Sequence, residues 1–292
     1  MKILYIAKGD LPDYQSDMLF HGLRSLYGAD CVDANRIWYM YKSDKEEFWN
    51  KRVPNGGKSY GHGFTIHGKL AELTVYRNDL SEKINNHFFD FVIYGSITRC
   101  ADYLEQVKLA YVPEEIAFID GEDSQKLDIG LSNHGVVFKR ELVKSNLKNV
   151  HPIEFAVPAS QIVNKVPTKI KDWAHIIPGD LSTYIFDDEP SYYKDYQDSM
   201  FAITFKKGGY DAQRHYEILA NGCVPYFTGI ETCPAFTMQT FPKKLIQESN
   251  RAIESGKIDI NWYNDFSADL LEYTKRYLTT EAMARRTLYH LL

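Results

Sequence analysis

The segment from Phe201 to Phe227 has residue types and spacing that suit a phosphate-bearing ligand. An apolar run leads into Lys207 and Gly208, and a short amphipathic stretch over 211–221 predicts a helix whose N-cap is Asp211. The first turn of a helix carries unpaired N–H groups and a partial positive charge, and both favour an anion. Lys206, Lys207 and Gly208 therefore predict a basic turn beside a phosphate site.

Arg214 and Glu217 are three residues apart and share one face of this predicted helix. A guanidinium beside a helix N-terminus grips a diphosphate with two parallel hydrogen bonds. A carboxylate one turn later accepts hydrogen bonds from the two ribose hydroxyls. The same spacing also describes an ordinary Arg–Glu pair on a solvated helix face, and the spacing alone leaves both interpretations open.

This segment resembles the donor-binding motif of glycosyltransferases with the GT-B fold, in particular exostosin-like enzymes. The family pattern has the form D-x-x-R-x-x-E-x-L-x-x-G-C-(I/V)-P. The matching residues here are Asp211, Arg214, Glu217, Leu219, Gly222, Cys223, Val224 and Pro225. The resemblance implies that Arg214 holds the donor diphosphate and that Glu217 holds the ribose. It also implies two Rossmann-like domains that face a cleft, with a second domain trimmed in this short chain.

A second loop, Pro178 to Thr183, follows a strand-like segment over 174–177 that predicts the first strand of the second domain. In GT-B enzymes the equivalent loop approaches the donor phosphates. Gly179 would permit close approach, and the hydroxyls of Ser182 and Thr183 could donate hydrogen bonds to the phosphates. An ordinary turn explains the same residues.

An inverting transfer needs a base that takes the proton of the acceptor hydroxyl. Asp120 is the leading candidate, because it directly follows the apolar run Ile116–Ile119 and the carboxyl ends of parallel strands face the ligand. Alternatives lie close to it or at other predicted loops: Glu122, Asp123, Asp10, Asp13, His62 and His67. The two histidines belong to a stretch, 51–68, that holds five glycines and predicts a loop at the mouth of the cleft.

The sequence predicts no metal site and no required cofactor. It contains no D-x-D signature, and the acidic run Asp187–Glu189 fits a solvated loop. The loop after the first predicted strand, Lys8 to Asp10, lacks the glycine pattern of a dinucleotide site. Lys206, Lys207 and Arg214 would stabilise the leaving diphosphate in place of a metal.

Alternating strand-like and helix-like segments over 292 residues predict an α/β protein. We expect an acceptor-side Rossmann-like domain over 1–157, a proline-containing linker over 158–173 and a nucleotide-sugar-binding domain with terminal helices over 174–292. The strands predicted in the first half cover 2–7, 31–34, 88–94, 116–119 and 135–138. Those predicted in the second half cover 174–177, 200–205 and 223–227.

Composition narrows the class of partner. A net charge of −5 gives no strong sign of nucleic-acid binding. Four scattered cysteines indicate a reducing, cytoplasmic setting, and the sequence predicts no membrane span.

The expected activity is transfer of a sugar from a nucleotide diphosphate sugar, with UDP as the expected nucleotide, to a hydroxyl of a glycan or other acceptor. The alternatives are a non-catalytic nucleotide- or glycan-binding module and a sugar-nucleotide epimerase or hydrolase.

Overall fold

The computed structural model describes residues 1–44 and 66–292. His62, an alternative base, lies outside the described residues, as does most of the glycine-rich stretch over 51–68.

The first half of the chain builds a six-stranded parallel sheet in the order β2-β1-β3-β4-β5-β6. Its strands are short apolar runs buried on both faces, as a parallel sheet between helices requires. The strand bounds are β1 Ile3–Ile6, β2 Cys31–Asp33, β3 Phe91–Tyr94, β4 Ile116–Asp120, β5 Val136–Lys139 and β6 Val150–Pro152. The predicted α/β class and the five predicted strands of this half are confirmed, with shifts of a few residues at their ends.

A separate three-stranded parallel sheet follows, in the order β7-β8-β9. Its strands are β7 Lys171–Trp173, β8 Ser199–Phe205 and β9 Val224–Thr228. The strand predicted over 174–177 is wrong. The strand β7 ends at Trp173, and the side chains of Ala174 and Ile176 then pack into a small core. The first strand therefore lies inside the segment that the sequence assigned to a linker.

Eight α-helices are described within residues 1–44 and 66–292. Their bounds are α1 Tyr14–Tyr27, α2 Leu80–Asn85, α3 Leu104–Ala110, α4 Glu189–Asp198, α5 Gln213–Ala220, α6 Lys243–Ser255, α7 Ile260–Tyr277 and α8 Thr280–Tyr289. None of these helices is both long enough and apolar enough to cross a membrane.

The last helix, α8, packs back against α1 of the first half. Gly22 of α1 makes this possible, because a Cβ there would collide with the backbone carbonyl of Thr280. Nearby, the Nδ1 atom of His21 lies 2.9 Å from the Thr280 hydroxyl, and burial lowers the His21 pKa to about 4. One hydrophobic cluster contains side chains from both sheets and from α1 and α8, so the two halves share a continuous core.

The α1–α8 contact supports a stability prediction. Gly22→Ala should lower the free energy of unfolding by about 2 kcal/mol, because a backbone carbonyl cannot move aside as a side chain does. Urea unfolding measures the change. Ser25→Ala, on the exposed face of the same helix, is the control and should stay within about 0.5 kcal/mol of wild type. A stable Gly22→Ala protein would show that the helices separate at little cost.

Candidate functional site

A cleft of about 480 Å3 lies where the carboxyl ends of strands from the two sheets face each other. Parallel α/β sheets bind ligands at this edge, outside the ends of their strands. The cleft is lined by residues that follow β3, β4, β5, β6 and β8 and by residues at the starts of α1 and α5. They include Asp13, Tyr14, Gln15, Arg99, Gly121, Glu122, Asp123, Arg140, Phe155, Lys207, Gly208, Gly209, Asp211, Gln213, Arg214 and Glu217.

The Gly208–Gly209 turn after β8 forms the second-sheet wall of the cleft. A Cβ on Gly209 would lie 2.5 Å from the Glu141 carboxylate, and a Cβ on Gly208 would collide with the Asp123 carboxylate. Glu141 is buried, so it has no room to withdraw. Lys207 is exposed at the start of this turn, where it lines the cleft. The glycines therefore allow the turn to approach the first sheet closely.

Glu141, just after β5, fixes the backbone beyond that turn. Its carboxylate accepts hydrogen bonds from the N–H groups of Tyr210 at 3.0 Å and Asp211 at 2.8 Å. The Glu141 backbone has a φ of 60°, a left-handed conformation that residues other than glycine rarely adopt. The strain costs about 1–2 kcal/mol. Each hydrogen bond to a carboxylate is worth about 1.5–3 kcal/mol, so the two bonds outweigh it.

Arg140 provides a second tie between the halves. Its guanidinium donates to the carbonyls of Gly121 at 2.8 Å and Asp211 at 3.0 Å, and it pairs with the Asp123 carboxylate. The guanidinium also lies 4.6 Å from the centre of the Phe155 ring. These contacts join the loop after β4 to the start of α5.

Asp211 lines the cleft but does not cap the helix, so that prediction is wrong. The N-cap position belongs to Ala212, and α5 begins at Gln213. The Asp211 carboxylate instead accepts from the Phe155 N–H at 2.7 Å and the Tyr216 hydroxyl at 2.9 Å. Burial raises its pKa to about 7, although Arg140 and the Phe155 N–H act in the opposite direction.

Arg214, in the first turn of α5, lines the cleft and is only 7% exposed. Its Nη2 donates to the Tyr184 hydroxyl at 2.9 Å, and the guanidinium lies 5.3 Å from the centre of that ring. Burial alone would raise the Tyr184 pKa, but the charges of Arg214 and Lys207 outweigh it and lower that pKa. The phenol therefore lies in a positive environment.

Glu217 also lines the cleft and is 2% exposed. The Tyr192 hydroxyl of α4 donates to its Oε2 atom, and the Tyr192 and Tyr196 hydroxyls lie 3.3 Å apart. Burial of both Arg214 and Glu217 excludes the alternative in which they form a solvated surface pair.

The loop that contains Gly179, Ser182 and Thr183 does not line the cleft. Ser182 Oγ donates to the Asp180 carboxylate at 2.6 Å, and Thr183 Oγ1 donates to the Asp180 carbonyl at 2.7 Å. Both hydroxyls therefore stabilise their own turn. Tyr184, which directly follows Thr183, contacts Arg214 through its hydroxyl.

The carboxylates after β4 divide into two groups. Asp120 accepts from Lys139 Nζ at 2.9 Å and from the Glu122 N–H at 3.2 Å, and it does not line the cleft. Glu122 and Asp123 do line it. The structure therefore brings the two following carboxylates to the cleft and holds Asp120 in a buried ion pair behind them.

Two other alternative bases lie near α1. Asp13 lines the cleft, and its Oδ2 atom lies 3.3 Å from Arg99. His67 is buried, with its Nε2 atom 3.0 Å from Asp17, and its ring stacks on Tyr14 of the cleft wall. Asp10 is exposed and does not line the cleft.

A scan of protein-family models finds no match to this chain, and a search of curated proteins finds none either. Within residues 1–44 and 66–292, no three or more His, Cys, Asp or Glu side chains are grouped to hold a metal ion.

Sequence reasoning missed Arg140, Glu141, Tyr184 and Tyr192. A signal was present for the first two, because the charged run Lys139–Glu141 directly follows an apolar strand. The tyrosines belong to a tyrosine-rich stretch over 184–196, but nothing in its spacing identifies their partners.

The raised pKa of Asp211 predicts a pH effect on stability. The folded carboxyl titrates near pH 7 and the unfolded one near 3.8, so the folded state binds more protons between these values. Stability from this group is present below about pH 3.8 and is lost as the pH rises to about 7. Asp211→Asn should remove this component, which is worth up to about 1.4 kcal/mol per pH unit.

Urea unfolding of wild type and Asp211→Asn at pH 4.5, 6 and 7.5 measures the difference. The exposed Asp128→Asn variant is the control and should track wild type across the range. A constant difference between Asp211→Asn and wild type would mean that Asp211 titrates at its ordinary pKa.

Proposed function

We propose that this chain is a GT-B-type glycosyltransferase that moves a sugar from a nucleotide diphosphate sugar, expected to be a UDP-sugar, to an acceptor hydroxyl. The observation that carries the proposal is the burial of Arg214 and Glu217 in the wall of a cleft at the start of α5. A guanidinium and a carboxylate held there suit a diphosphate and a ribose.

The second sheet supplies the donor side in this proposal. The N-terminus of α5, Arg214 and Lys207 would meet the charge that develops on the leaving diphosphate. The Gly208–Gly209 turn would let the backbone come close to the phosphates. This sheet has three strands, and it would be the trimmed donor domain that the resemblance implies.

The six-stranded sheet supplies the acceptor side. In an inverting reaction the acceptor oxygen attacks the anomeric carbon, the bond to the diphosphate breaks, and a carboxylate takes the hydroxyl proton. Asp120 could take that proton only after its ion pair with Lys139 breaks. Glu122 and Asp123 line the cleft themselves, although Asp123 pairs with Arg140 and Glu122 lies 3.4 Å from Arg99.

The cellular setting forms part of the proposal. All four cysteines, including the partly exposed Cys233, are free thiols, which supports a reducing cytoplasmic location.

Thermal-shift titration with UDP, GDP, CMP and NAD tests the donor site. One nucleoside diphosphate should stabilise wild type, by about 2.7 kcal/mol at one hundred times its dissociation constant. Arg214→Ala should weaken that binding at least tenfold, because it removes hydrogen bonds between charged groups. Arg251→Ala, an exposed arginine outside the cleft, is the matched control and should bind like wild type.

No stabilisation by any of the four would remove the support for a nucleotide-sugar enzyme. With a nucleotide identified, turnover of its sugar conjugates, followed both as diphosphate release and as a change in the sugar, separates the remaining classes. Release that depends on an added acceptor indicates a transferase, and turnover without an acceptor indicates a hydrolase or epimerase. Binding without turnover indicates a binding module.

A further inference from the structure

Tyr192 of α4 lies directly behind Glu217. Its side chain is fully buried, and its hydroxyl donates to the Oε2 atom of Glu217. Burial, together with the nearby negative charge of Glu217, raises the Tyr192 pKa well above its ordinary value. The phenol is therefore a permanent donor, and it fixes the orientation of a carboxylate that lines the cleft.

The Tyr192 hydroxyl has a role that can be separated from the packing of its ring. The ring contacts Phe186, Tyr193 and Tyr196, with centroids 6.0, 5.4 and 5.1 Å away. A phenylalanine would keep these contacts. It would lose the hydrogen bond to Glu217 and the 3.3 Å approach to the Tyr196 hydroxyl.

A carboxylate reads a ribose by accepting hydrogen bonds from its hydroxyls, and this requires a fixed rotamer. When the donor on the ligand is absent, a buried carboxylate loses a partner that water cannot replace. Sites built around such groups therefore reject analogues that lack the hydroxyl more strongly than apolar sites do.

We propose that Tyr192 is a positioning residue for Glu217, and that this pair makes the cleft select ribonucleotides over 2′-deoxyribonucleotides. The inference rests on the proposed function, because it takes Glu217 as the ribose-binding residue. Tyr192 itself touches no substrate and acts only through the carboxylate.

Isothermal titration with UDP and 2′-deoxy-UDP tests the proposal on wild type, Tyr192→Phe and Tyr226→Phe. Wild type should bind UDP at least tenfold tighter than 2′-deoxy-UDP, the loss expected for a hydrogen bond to a charged group. In Tyr192→Phe the ratio should fall to about threefold or less, mainly through weaker binding of UDP.

Tyr226→Phe is the matched control. It removes another tyrosine–carboxylate bond, from Tyr226 to Glu254 at 3.1 Å, outside the cleft. Its ratio should equal that of wild type. A general loss of stability would weaken both ligands together and leave the ratio unchanged, so the ratio distinguishes positioning from a structural role.

Each result decides the matter. A wild-type ratio in folded Tyr192→Phe overturns the inference, and so does a wild type that binds both nucleotides equally while the donor site stands. Should Tyr192→Phe fail to fold, Glu217→Gln gives a second test: a retained ratio overturns the inference, and a lost ratio supports the carboxylate as the group that reads the ribose hydroxyl. If wild type binds no nucleotide in the thermal-shift series, the proposed function itself fails.

Discussion

The carboxylate of Glu141 ties the end of β5 in the first sheet to the backbone that follows β8 in the second sheet. It extends from the end of β5 and accepts both N–H groups of Tyr210 and Asp211, which lie 69 and 70 residues later in the chain. Removal of this carboxylate would leave two backbone donors buried without partners, at about 1–3 kcal/mol each. The shape of the cleft depends on this bond pair, because the Gly208–Gly209 turn immediately precedes it.

The same constraint explains why the turn contains glycine. The backbone that leads to Tyr210 must pass close beside Glu141, and a Cβ on Gly209 would clash with the Glu141 carboxylate. Arg140 adds to the closure through the Asp211 carbonyl. The start of α5 is therefore positioned by side chains of the first sheet, and its own capping residue contributes little. Ala212 at the N-cap makes no side-chain hydrogen bond, in agreement with this view.

The features that depend on residues close together in the chain were predicted correctly from the sequence. Short apolar runs ending in glycine or a charged residue gave the strands of the first sheet, and spacing placed Arg214 and Glu217 on one helix. The failures involve distant partners. The sequence predicts Asp211 as an N-cap, but its carboxylate accepts a hydrogen bond from the N–H of Phe155, which lies 56 residues away in the chain. Ala174 and Ile176 are apolar because they pack into a small core, and an apolar residue buried outside a strand looks the same in sequence as one inside a strand.

The charges around α5 show how a phosphate site could tolerate nearby acids. Asp211 and Glu217 both line the cleft that would hold the diphosphate, and two bare carboxylates there would repel it. The Asp211 carboxylate is engaged by Phe155 and Tyr216, and its pKa of about 7 reduces its average charge. Glu217 is engaged by Tyr192. Lys207 and Arg214 line the same cleft, and both cations lower the pKa of the nearby Tyr184 hydroxyl.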